Sequence, residues 1–129
     1  MQIITIPLIF LISVMIIDYL TGISSAYINK KLSSKTGIVG ILKKIGYIAL
    51  VCVGVCADYL IQTVLVNLGI DFNVQTIFGF MVAIWLIINE LISILENLSK
   101  MGVPMPNFLM KLVKKLKIIV ESKADSTIE

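Results

Sequence analysis

The sequence predicts an all-α membrane protein: three transmembrane helices, then a C-terminal amphipathic helix, with the N-terminus outside and the C-terminus inside. Composition, three apolar runs of spanning length and the placement of the lysines predict it. The chain has 129 residues, of which 58% are hydrophobic and only 15% charged, and its mean hydropathy is +1.01. Soluble domains are roughly 45–50% apolar even with glycine counted. A soluble fold of this size could not hide so much apolar surface.

The apolar runs cover about residues 6–28, 45–68 and 77–99. Each is close to the ~20 residues that cross a ~30 Å hydrocarbon layer as a helix. Helix is the default there because the backbone must satisfy its own hydrogen bonds. Pro7 falls near the start of the first run, where a missing N–H is tolerated. No basic stretch precedes that run and no small-x-small site follows it, so it is expected to be a retained helix and not a cleaved leader.

The eleven basic residues set the orientation. Lys30, Lys31, Lys35, Lys43 and Lys44 lie between the first two runs, and Lys100, Lys111, Lys114, Lys115, Lys117 and Lys123 follow the third. The N-terminal run and the segment GIDFNVQT between runs two and three have none. The positive-inside rule then places the first connection and the C-terminus inside.

Residues 1–106 form the expected membrane domain and 107–129 a basic tail. In KMGVPMPN, Gly102, Pro104 and Pro106 stop the third helix and turn the chain. Beyond the turn, Leu109, Leu112, Val113, Leu116 and Val120 recur at helical spacing. Lys111, Lys114, Lys115 and Lys117 occupy much of the other side, the pattern of a helix lying on anionic lipid; a solvated basic tail is the alternative. The terminal SKADSTIE is expected to fray.

Each run carries one carboxylate near its middle: Asp18, Asp58 and Glu90. An acid at helix centre costs about 2.5–3.5 kcal/mol on the insertion scale. About eleven Leu, Ile, Val and Phe residues in the first run return roughly 3–7 kcal/mol. Insertion is therefore feasible, but the acids should avoid lipid tails. Their neighbours form polar stripes: Asp18, Thr21 and Ser25; Gly54, Asp58 and Gln62; Glu90, Ser93 and Asn97. Gly22 with Ala26, and Gly79 with Ala83, allow close helix approach, expected here between copies. No lysine lies within any run, so the acids are expected to have no basic partner and to meet water in a path built by several subunits. Simple gluing of one three-helix bundle, or proton transfer in a small transporter, are the alternatives. Glu96 and Asn97 are expected to cap the exit of the third helix.

Other chemistry is disfavoured. There is no histidine, which removes hydrolase triads and, with only Cys52 and Cys56 present, zinc sets. The two cysteines are four apart, not C-x-x-C, and read as small packing residues. No phosphate-binding loop is present. Arginine, the usual bidentate reader of bases, is absent, so nucleic-acid binding is not expected.

Three stretches, in order, carry a family resemblance. DYLTG (18–22), KKLSSKTGIVGILKKIGYI (30–48) and NELISILENLSKMGVPMP (89–106) resemble signatures of the toxin-secretion/phage-lysis holins. The resemblance spans about residues 18–106; the tail carries none of it. It implies a protein that accumulates in the bacterial cytoplasmic membrane, self-associates, and opens lesions through which an endolysin or toxin passes. It implies no enzyme activity and no cofactor. An antiholin, or an accessory subunit of another pore, is the rival within that resemblance.

Overall fold

The structure is a computed structural model that describes residues 2–72 and 76–128. Four helices follow in order: α1 (Gln2–Ile28), α2 (Ser34–Asn67), α3 (Ile77–Lys100) and α4 (Asn107–Ile128). The first three are long and apolar enough to cross a membrane. Asn73, Val74 and Gln75 of the expected outer connection lie outside the described residues.

At 1.5 Å per residue, α1, α2 and α3 are about 40, 51 and 36 Å long. All exceed the ~30 Å hydrocarbon thickness. Pro7 stands inside α1, one turn later than the sequence suggests. It forgoes the bond to the carbonyl four residues back. Exposed hydroxyls in the spans satisfy themselves: Ser13, Ser24 and Thr63 donate to the carbonyls of Ile9, Leu20 and Tyr59 at 2.8 Å each.

The largest departure from the sequence reading is the start of α2. The helix begins at Ser34, eleven residues before the expected run. Ser33 sits in extended backbone and its hydroxyl accepts the Thr36 N–H at 3.1 Å. This N-cap starts the helix despite Gly37, Gly40 and Gly46. Lys35, Lys43 and Lys44 are therefore helical, not loop, residues.

The other helix ends are closed by left-handed residues. Gly69 (φ +70°) follows α2, with Ile70 N–H bonded to Leu65 carbonyl at 3.0 Å. Gly102 (φ +85°) follows α3, with Val103 N–H bonded to Leu98 carbonyl at 3.1 Å. A side chain at either glycine would be strained.

α3 is the centre of the molecule. α1, α2 and α4 all pack on it, whereas α1 and α2 scarcely touch each other. Leu11, Val14 and Met15 of α1 and Val51 of α2 close around Ala83, Leu86, Ile87 and Ile94 of α3. Cys52 and Cys56 point away from this core and are exposed, so they do not pack inside the protomer.

α4 also differs from expectation. It stays helical through Ile128 rather than fraying. It folds back antiparallel on α3: Val113 is buried against Ile88 and Leu95, and near the far end Phe78, Met81 and Val82 face Ala124 and Ile128 across a narrow cleft. The tail is thus a fourth element of the bundle in this structure, not a helix set apart on a surface.

Candidate functional site

The site builds from one residue the sequence reading sets aside. Lys44 stands on the same face of α2 as Tyr47, Val51, Gly54 and Asp58, at helical spacing. Its ammonium donates to Asp18 Oδ2 of α1 at 2.7 Å and to Glu90 Oε2 of α3. The expectation that the acids lack a basic partner is therefore corrected. The physical reason is the length of α2: its helical register carries a lysine down to the level of both carboxylates.

Asp18, Lys44 and Glu90 are each ten residues from the neighbouring ends of their helices, at Ile28, Ser34 and Lys100. That places the cluster about 15 Å in from those ends. Glu90 is only 3% exposed. Asn97 Nδ2 donates to Asp18 Oδ1 at 3.2 Å and lies 3.4 Å from Thr21 Oγ1. Asn97 thus reaches sideways to α1 and does not cap α3, while Glu96 is exposed. Gly22 faces this bond: a Cβ there would stand 3.5 Å from Asn97 Nδ2, an ordinary contact. Beside the ion cluster lies a cleft of about 210 Å³, lined partly by Tyr47, Asn89 and Ser93. Nearer those ends, Asn29 Nδ2 donates to the carbonyls of Ser25 (2.8 Å) and Lys100 (3.2 Å), tying the C-terminal ends of α1 and α3 together.

Two carboxylates against one ammonium leave one negative charge in excess when both are ionised. Breaking a buried ion pair by deleting one partner costs about 3–5 kcal/mol. The cluster is therefore a fastening of the closed protomer that three helices share.

Asp58 is satisfied in a different way. It is 3% exposed and accepts the backbone N–H groups of Phe78 and Gly79, each at 2.8 Å, one on each carboxylate oxygen. These are orphan donors of the first turn of α3. Thr76, the residue in N-cap position, has φ +56° and makes no side-chain cap bond; its buried hydroxyl has no partner among the described residues. Asp58 of α2 caps α3 in its place, with its charge at the positive end of the helix dipole. The approach requires glycine on both sides. A Cβ on Gly54 would stand 3.0 Å from Gly79 Cα, and one on Gly79 would stand 2.6 Å from Val55 Cγ2. In this structure Gly54, Gly79 and the fully buried Ala83 serve packing within the protomer; the sequence reading expects Gly79 and Ala83 at contacts between copies.

The structure so brings Asp18, Thr21, Glu90 and Asn97 together, with Ser93 at the adjacent cleft and Ser25 buried at the α1 end. Asp58 lies apart, fourteen residues, or about 21 Å, further along α2. Gln62 is half-buried one turn beyond Asp58, and Ala26 is half-buried near Gly22. On α4, Lys111, Lys114 and Lys115 are exposed. Lys117 turns toward α3 and lies 5.8 Å from the centre of the Trp85 ring. The Trp85 indole N–H donates to Glu121 Oε1 at 2.8 Å.

Sequence reasoning missed Lys44 and the Asp58 cap. The signal for Lys44 was the backward extension of the Gly54–Asp58 stripe; nothing local announces the cap, whose partners are backbone atoms of another helix. The three stretches that carry the family resemblance meet at the ion cluster: Asp18 and Thr21 from the first, Lys44 from the second, Glu90 and Asn97 from the third.

Comparison with known proteins agrees. The model of the bacteriophage holin family matches residues 2–118. Similar relatives include an uncharacterized protein of Halalkalibacterium halodurans, 34% identical over 113 residues, covering 88% of this chain and 79% of that protein. Another, of Clostridium acetobutylicum, is 40% identical over 111 residues, with 86% and 81% covered. A third, of Clostridium perfringens, is 36% identical over 110 residues, with 85% and 74% covered. No solved structure matches. Nearly the whole chain fits one family of non-enzymatic membrane proteins, and three of its helices are long and apolar enough to span: the chain belongs to the bacteriophage holin family.

Proposed function

We propose that the protein is a holin. Copies gather in the bacterial cytoplasmic membrane, N-terminus out and C-terminus in, and open lesions that pass an endolysin to the wall or release a toxin. The observation that carries this reading is the family match over residues 2–118, supported by the meeting of all three motif stretches at one buried ion cluster.

The geometry supports a closed protomer as the dispersed form. Asp18, Glu90 and Asp58 hold partners inside the chain, so a lone copy presents none of these three bare to lipid. The stripe residues Asp18, Thr21, Ser25, Asp58, Gln62, Glu90, Ser93 and Asn97 meet water only where α1 or α2 parts from α3. Before opening, the α4 lysines rest on anionic lipid of the inner leaflet. Self-association drives the change, and an antiholin, where one exists, would act by holding protomers apart. No cofactor takes part.

The test is inducible expression in bacteria with a potential-sensitive dye and a cytoplasmic reporter enzyme. Abrupt reporter release together with depolarisation is expected. Depolarisation alone would indicate a small channel, and no effect on its own would indicate an accessory subunit.

A further inference from the structure

The docked position of α4 does not fit a helix surrounded by lipid. α3 is one of the three helices fit to span, and α4 runs antiparallel beside it from the Gly102–Pro106 turn to the level of Phe78. With 22 residues, α4 is about 33 Å long, enough to cover the whole hydrocarbon depth. Its docked side is apolar and buries Val113. Glu121 bonds the Trp85 indole, and Lys117 covers the Trp85 ring. The opposite side carries Lys111, Lys114, Lys115, Ser122 and Asp125, all exposed, within an arc of roughly 100° at 100° per residue that also holds Ile118. Four of those five are charged. Facing hydrocarbon, each would cost about 2.5–3.5 kcal/mol near the bilayer centre. The docked arrangement is stable beside a spanning α3 only where that arc faces water.

In this arrangement Asp18, Asp58 and Glu90 do not provide the wet surface, because all three are partnered within the protomer. We infer that α4, folded back along α3, is the water-facing wall of the lesion, with Lys111, Lys114 and Lys115 setting its charge. The proline-bounded turn at 102–106 lets α4 move from the membrane surface to α3. This inference rests on the holin reading and adds which element lines the opening. A lysine-lined wall prefers anions. The exposed apolar stripe Phe108, Leu112, Leu116 and Ile119 flanks the basic arc and is left for the side of the next copy.

The test is conductance of the full chain in planar bilayers under a salt gradient. Wild type is expected to give an anion-selective reversal potential. The variant K111E/K114E/K115E, altered only at positions that face away from α3, is expected to reverse its sign. Arginine at the same positions should keep it. In a C52A/C56A background, Lys115→Cys should react with a membrane-impermeant thiol reagent added to the outer side once current flows, while Val113→Cys should not. Current with unchanged selectivity in the glutamate variant and no labelling of Cys at 115 would overturn the role of α4 and leave the holin reading standing. No current and no reporter release from wild type would remove the holin reading, and this inference with it.

Discussion

Two carboxylate sites, one midway along the bundle and one at the N-terminal end of α3, solve the same problem with different chemistry. Asp18 and Glu90 share an ammonium from a third helix. Asp58 uses no cation and takes two backbone N–H groups at the start of α3. The first is a long-range ion cluster held between side chains of three helices. The second is a helix cap, fixed by the fold of its neighbour. Deleting one partner in the first leaves charge stranded; in the second it leaves donors stranded.

The comparison breaks most sharply at Lys44. Lys44→Met should destabilise the detergent-solubilised protein by about 3–5 kcal/mol, read as an earlier midpoint in a denaturing-detergent titration followed by circular dichroism. The triple variant D18N/K44M/E90Q should recover most of that loss, because neutralising a whole buried cluster is often near neutral. If the triple variant is as unstable as K44M alone, the charges are not what the site is about.

Asp58 comes next. Asp58→Leu removes two bonds to a charged acceptor and should cost about 3 kcal/mol in the same titration. Asp58→Asn, which keeps one acceptor, should lose less. Equal losses would show that the carboxylate's second bond and its charge contribute nothing. Gly79→Ala follows, at about 1–3 kcal/mol for overpacking, since its Cβ would meet Val55 Cγ2 at 2.6 Å and a β-branched side chain on a helix has few rotamers to retreat to. The smallest effect belongs to Asn97→Ala, about 1 kcal/mol for a hydrogen bond near 3.2 Å. A larger loss there would make Asn97 part of the ion cluster's core and not its edge.

How much of this was legible follows from where the information sits. The spans of α1 and α3, the turn at Gly102 and the presence of α4 are written in local composition and spacing. So is the oddity of one acid per span. The start of α2 was hidden by Gly37, Gly40 and Gly46, which argue against helix, although Ser33 supplies the cap that overrides them. A run that starts at Ile45 leaves Lys44 in the loop, out of reach of any pairing with Asp18 and Glu90. The Asp58 cap was not legible at all, since backbone N–H groups leave no mark on a sequence. The apolar side of α4 was visible; that it would choose α3 over a lipid surface was not, because both surfaces are greasy and the choice depends on what the lysines opposite it face.

The central place of α3 has one more consequence. Since α1 and α2 scarcely touch, the molecule resembles a mast with separate stays and not a closed ring of staves. Loosening one stay does not oblige the others to move. α1 could swing out by giving up its seam with α3 and its share of Lys44, while Asp58 still holds α2 to the mast, so rearrangement among crowded copies need not pass through general unfolding.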